Sequence, residues 1–103
     1  MPVIRISNGK FDLAKLARAE RLFAESERAL RGPLTQLNGL IHYYVGIDRK
    51  AGYGTNVSFW DSLEHANQMT TLPAMLGQRP LLEAEGVHFE TITNHETIWT
   101  VER

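Results

Sequence analysis

Four histidines, His42, His65, His88 and His95, carry most of the conventional chemistry open to this sequence. An imidazole titrates near neutral pH and serves as base or metal ligand. The spacing restricts these roles. His95-Glu96 is followed by Thr97-Ile98-Trp99, so the two-histidine helical motif of zinc hydrolases is absent. A three-ligand metal site would need histidines from separate elements to converge with a carboxylate, and no spacing supports one, so no metal is expected. No Gly-x-Ser-x-Gly marks a serine nucleophile. Gly52-Tyr53-Gly54 lacks the remaining glycine and the helix of a dinucleotide loop. Asn56-Val57-Ser58 matches a glycosylation acceptor but falls in a predicted strand and is read as chance. What remains is aromatic and thioether surface. Met69, Met75 and Leu76 suit either a filled core or the wall of a pocket for a flat ligand.

Composition narrows the classes further. The chain has 103 residues, one domain's worth, with 43% hydrophobic and 22% charged residues, an ordinary globular balance. Eleven Lys and Arg against 12 Asp and Glu leave a formal charge of −1, which provides no electrostatic footprint for nucleic acid or an anionic membrane. The absence of cysteine excludes disulfides, thiolate nucleophiles and Cys-type metal sites. No apolar run approaches a membrane span. The start Met1-Pro2-Val3-Ile4-Arg5-Ile6 shows no basic region leading into an apolar one, so no signal peptide is expected and the cytoplasm is the expected location.

The elements that must position these residues can be read from periodicity. Val3 to Ser7 reads as a strand, with Ile4 and Ile6 on one face, Arg5 and Ser7 on the other, and Asn8-Gly9 as its closing turn. Phe11 to Leu30 reads as a helix whose stripe is Leu16, Ala19, Phe23, Ser26 and Leu30, stopped by Gly32-Pro33. Its charged residues have mixed signs and read as a solvated face. Leu40 to Asp48 alternates Ile41, Tyr43, Val45 and Ile47 with His42, Tyr44, Gly46 and Asp48, the strongest strand signal. After the loop 49–54, Thr55 to Trp60 returns as the second arm of a hairpin. Asp61 is the expected cap of the next helix, which covers Leu63, Ala66 and Met69 and frays before Pro73. A short piece around Ala74 to Leu76 and another from Leu81 to Glu85 follow, the second opened by Pro80. Val87 to Thr93 and Glu96 to Val101 read as extended, with a bulge, bend or turn at Asn94-His95.

The order is β-α-β-β-α-β, so residues 1–103 are expected to form a single α+β, ferredoxin-like domain: an antiparallel four-stranded sheet with helices on one face. Alternation assigns Arg5, Ser7, His42, Tyr44, Asn56, Ser58 and Trp60 to the uncovered face. Leaving Tyr44 and Trp60 in water is unfavourable, which predicts a homodimer that covers them.

Three segments bear a family resemblance across the whole chain: 34–48, the junction Val57-Ser58-Phe59-Trp60-Asp61-Ser62-Leu63-Glu64-His65-Ala66, and the terminal strand Ile92 to Val101. Together they resemble the dimeric α/β-barrel superfamily, in particular its antibiotic-biosynthesis-monooxygenase-like group. The resemblance implies a homodimer of two face-to-face sheets, with pockets between sheet and helices. It implies no cofactor and, among diverse chemistries, oxidation of a phenol or quinol. Haem degradation is disfavoured: Asn8 matches the expected placement, but no Trp lies in the helix after Asp61, and His65 comes too early.

Cofactor-independent oxidation asks the protein to bind an aromatic, remove a proton and stabilise the anion. On this reading His65 is the candidate base, with Asn8 and Tyr43 as catalytic partners. Phe59, Trp60, Met69, His42 and Tyr44 are the candidate ligand-binding residues. Plainer roles stand beside these: Trp60 as a core or interface anchor, Tyr43 packed under a helix, His65 as a helix-start residue, Asn8 as a turn former, and His88 and His95 at the surface. The alternative to an enzyme is a non-enzymatic ligand-binding or stress-related dimer.

Overall fold

The computed structural model describes residues 2–103. Strand β1 (Val3–Lys10) leads through a short 3-10 turn (Leu13–Lys15) into helix α1 (Leu16–Thr35). The hairpin β2 (Leu40–Asp48) and β3 (Tyr53–Trp60) follows. Next come α2 (Leu63–Ala66), a 3-10 turn (Asn67–Thr70) and α3 (Pro73–Ala84). The chain ends with β4 (His88–Phe89), β5 (Thr93–Glu96) and an extended tail. The sheet is antiparallel, in the order β2-β3-β1-β4, and β5 pairs with β1 beyond β4. This is the ferredoxin-like α+β arrangement, with the helices on one face.

The fourth strand is one edge broken into two. Gly9 pairs with Phe89 and Lys10 with His88, while Ile6 pairs with Thr93 and Val3 with Glu96. The register therefore slips by one residue across 90–92, as a bulge does. The break lies there and not at Asn94-His95, which sit inside β5. Beyond Glu96, where periodicity predicts a strand to Val101, Thr97–Arg103 pair with no strand.

β1 also outruns its expected end. Asn8-Gly9 is not a turn: Asn8 pairs with Thr55 and Gly9 with Gly54. Glycine is needed at position 9 for space, since a Cβ there would lie 2.7 Å from Val87 Cγ1.

Helix α1 buries Ala19, Phe23, Ser26, Leu30 and Leu34, the expected stripe carried one turn further. It starts later than expected. A separate 3-10 turn precedes it, capped by Asp12, whose side chain accepts from Ala14 N. At the far end Gly32-Pro33 does not stop the helix. Burying Leu34 against Val3 and Trp60 outweighs the hydrogen bond that Pro33 cannot make. Pro80 likewise sits inside a single helix, Pro73–Ala84, and not at the start of a second piece. The carbonyl it leaves unbonded belongs to Leu76, an exposed residue whose backbone water can reach. The cap of α2 is Ser62, not Asp61: its hydroxyl accepts from His65 N at 3.1 Å.

The largest correction concerns the faces. Val3 pairs with Trp60, Arg5 with Ser58, and Ser7 with Asn56, and all point toward the helices. Trp60 is 0% exposed. Arg5, Ser7, Asn56, Ser58 and Trp60 are therefore on the covered face, and Ile4, Ile6, Val57 and Phe59 share the open face with His42 and Tyr44. Polarity could not decide this, because β1 and β3 carry large apolar side chains on both faces. The volume of Trp60 decides it: that ring fills the space between Val3, Leu30, Leu34 and Met69. A second cluster, Phe11, Ala19, Phe23, Leu82 and Val87, holds the other end of α1 and α3 to the sheet.

Candidate functional site

Tyr43 is the residue around which the site is built. In β2 it faces the helices with Val45 and Ile47, as expected of that strand, but a register shift between Leu40 and His42 leaves Ile41 unpaired and exposed and sets Leu40 opposite Trp60. It pairs with Ser58 of β3, and Ser58 pairs with Arg5 of β1, so Arg5, Ser58 and Tyr43 form one row across three strands. Two spaces meet at Tyr43. A mostly apolar groove of about 490 Å³ lies between α1 and β2, walled by Phe23, Leu30, Leu34, Tyr43, Val45 and Ile47, with Glu20, Glu27 and Arg31 of α1 also lining it. It opens along β2, which is the outer strand of the sheet and has no neighbour there. A smaller pocket of about 40 Å³ lies deeper, between Arg5, Ser7, Tyr43, Asn56 and Ser58 on the sheet and Met69, Met75 and Ile92.

The polar groups of the deeper pocket are poorly partnered by the protein. The Tyr43 hydroxyl is buried with no hydrogen-bond partner. Arg5 is 7% exposed, and no carboxylate pairs with it among the described residues. Burial pulls the guanidinium below its ordinary pKa, and the nearby phenol works the other way. Burial pushes the Tyr43 phenol up to about 12, with Arg5 opposing. Ser58 Oγ accepts from Trp60 Nε1 at 2.8 Å, which leaves the serine proton to donate elsewhere.

The residues expected to act together are dispersed. Asn8 lies on the open face and accepts from Thr55 Oγ1 at 2.9 Å through its Oδ1. His65 stands in the first turn of α2, its Nδ1 2.6 Å from Asp61 Oδ1, and lines neither cavity. Its hydrogen bond holds the Asp61 carboxyl below its usual range. Tyr43 alone of the three lies at the sheet–helix cavities. The candidate ligand residues divide the same way. Trp60 and Met69 are under the helices, and Met69 lines the small pocket. His42, Tyr44 and Phe59 form an aromatic cluster on the open face, with Phe59 edge-on to both rings at 6.0 and 6.1 Å. Sequence reasoning does not single out Arg5. The signal is a charged residue at a strand position flanked by Ile4 and Ile6, but polarity places it on the wrong face. No group of three His, Asp or Glu residues gathers to hold a metal among the described residues. No helix there is long and apolar enough to cross a membrane.

No family model and no curated protein matches the chain. Solved structures do. The chain is similar to a Deinococcus radiodurans protein assigned as an antibiotic biosynthesis monooxygenase, with a TM-score of 0.73 and 21% identity over 98% of this chain and 97% of that one. It is also similar to SnoaB, a cofactor-independent oxygenase from Streptomyces nogalater, with a TM-score of 0.68 and 15% identity over 99% and 98% of the two chains. A dimeric ferredoxin-like protein of unknown function from Jannaschia aligns at a TM-score of 0.70 and 13% identity over 94% and 100%. The fold is that of the antibiotic-biosynthesis-monooxygenase-like, ferredoxin-like proteins, as the sequence resemblance implies.

Proposed function

We propose that this protein is a cytoplasmic homodimer that binds a flat, largely apolar small molecule in the α1–β2 groove. There it oxidises a phenol or quinol with molecular oxygen and without a cofactor. The observation that carries the reading is the groove itself: about 490 Å³ of open, mostly apolar space within ligand-site size, with the Tyr43 ring in its wall and Glu20, Glu27 and Arg31 also lining it. An ionised phenol is electron-rich enough to react with oxygen directly. The ring carbon gains one oxygen atom, the other leaves as water, and the substrate supplies the electrons. The protein's tasks are to bind the ring, exclude bulk water and favour the anion. The similarity to SnoaB, a cofactor-independent oxygenase, supports this chemistry over others hosted by the fold.

The dimer reading rests on uncovered apolar surface. Ile4, Ile6, Val57, Phe59 and Tyr44 form a continuous face with no helix over it, and Tyr44 is 56% exposed. The tail adds Ile98, Trp99 and Val101, exposed by 95%, 78% and 79%. A second copy that packs sheet to sheet and receives the tail covers both.

Oxygen uptake with a panel of quinols and hydroxylated polycyclic aromatics, paired with binding titrations of the same compounds, tests the function. Saturable uptake by metal-free protein is the expected result. Tight binding with no uptake favours the alternative, a non-enzymatic ligand-binding dimer. Absence of both contradicts the proposal.

A further inference from the structure

We infer that the pocket beside Tyr43 receives an anionic oxygen group, carboxylate or phenolate, carried by the flat molecule whose apolar body fills the groove. The inference rests on the groove being a ligand site and specifies the chemistry of that ligand. Arg5, Ser58 and Tyr43 stand in one row on the covered face. Each has a proton to give: among the described residues no carboxylate pairs with the guanidinium, the phenol has no partner, and the serine oxygen is already accepting from Trp60. No Asp or Glu lines the pocket. Ser7 and Asn56 can donate or accept, so the pocket holds more donors than acceptors and no carboxylate. A group that only accepts can take protons from Arg5, Ser58 and Tyr43 together, and an ionised carboxylate or phenolate is such a group.

Energetics point the same way. A buried guanidinium with no counter-charge is costly, and proteins remove that cost by pairing it. The pocket, at about 40 Å³, exceeds the ~10–15 Å³ that one water needs and suits a head group, not a ring. Met69, Met75 and Ile92 close it on the apolar side. Tyr43 belongs to both walls, so a molecule lying along its ring has the pocket at one end.

The test compares 2-naphthoate, 2-naphthamide and 2-naphthol as ligands of the full-length protein by calorimetric titration. At neutral pH the carboxylate binds about tenfold or more tightly than the amide. Arg5→Met brings that ratio close to one without weakening the amide. In the free protein the same substitution raises the melting temperature, because an uncompensated buried charge is gone. Tyr43→Phe, which keeps the ring and the groove wall, lowers naphthoate affinity several-fold and spares the amide. These two variants fail independently, so loss of folding in one does not remove the test. The sources separate by pH. If the site is matched to a phenolate, 2-naphthol affinity climbs to at least that of naphthoate once the naphthol ionises. If it is matched to a carboxylate, naphthoate stays the tighter ligand throughout. Equal binding of acid and amide to the wild type, or a preference that survives Arg5→Met, overturns the inference and leaves the groove reading standing. Failure of all three compounds to bind overturns both. Water-filled donors with no anion preference are the physical meaning of the first negative result.

Discussion

Arg5 and Tyr43 flank Ser58 on the covered face of the sheet, one on each side of β3; among the described residues no carboxylate pairs with Arg5, and the Tyr43 hydroxyl is buried without a hydrogen-bond partner. That relationship joins the fold to its use. A close-packed core would place apolar residues there, and a structural polar network would be complete.

The raised phenol pKa makes Tyr43 visible in a pH titration. Its folded-state pKa lies near 12, above the ordinary value of 10.0. The folded state therefore holds its proton where the unfolded state has lost it. The stability associated with the neutral phenol is fully present below pH 10 and is lost as pH rises toward 12. The ultraviolet absorbance difference between the wild type and Tyr43→Phe should show Tyr43 ionising near pH 12. Denaturant melts across that window should lose stability on the order of 2 kcal/mol, a loss that Tyr43→Phe abolishes. Ionisation of Tyr43 at its ordinary value of 10.0 contradicts the burial.

Gly39 is predicted to be irreplaceable. Its φ is +76°, and a Cβ would lie 2.2 Å from Asp61 Oδ1 and 2.3 Å from His65 Nδ1. Gly39→Ala combines backbone strain with a clash and should cost about 2 kcal/mol or more in chemical denaturation. Asp61→Ala in the same background should return the share of the clash owed to the Asp61 carboxylate and leave the His65 contact and the backbone part. A fully additive double mutant would show that the Asp61–His65 pair does not occupy that space.

Trp60→Phe should cost about 2–3 kcal/mol, because it opens a void among Val3, Leu30, Leu34 and Met69 and removes the donor to Ser58. The measurement is an equilibrium unfolding curve. Indifference to the substitution would mean that Trp60 does not fix which face of β3 is covered.

Truncation after Glu96, or Trp99→Asp, is predicted to weaken the dimer at least about tenfold in sedimentation equilibrium while the monomer stays folded. Phe59→Lys on the open face should do the same by a different route. Dimers unaffected by both changes would place the interface elsewhere.

Much of the architecture is legible in the sequence. The α1 stripe, the β2–β3 hairpin and the element order follow from periodicity, because each element buries one well-marked set of side chains. The faces of β1 and β3 do not. Val3 and Ile4 are equally suited to burial, so alternation is present but its phase is not, and a one-residue change of phase exchanges every side chain. Polarity alone thereby sends Arg5 to solvent and Trp60 to an interface. Pro33 and Pro80 mislead for a related reason: local rules stop a helix where tertiary burial of Leu34 and Leu82 continues it. The candidate site is legible only at Tyr43 and Met69, since the pocket depends on three strands meeting in register.

The most direct test of a ligand site in the α1–β2 groove is an amide and methyl NMR titration with 2-naphthol, which reads out the occupied face of the sheet. Perturbations are predicted at Leu30, Leu34, Tyr43, Val45 and Ile47, in the wall of the groove. Perturbations gathered instead on His42, Tyr44 and Phe59, or no perturbation at all, would contradict a site there.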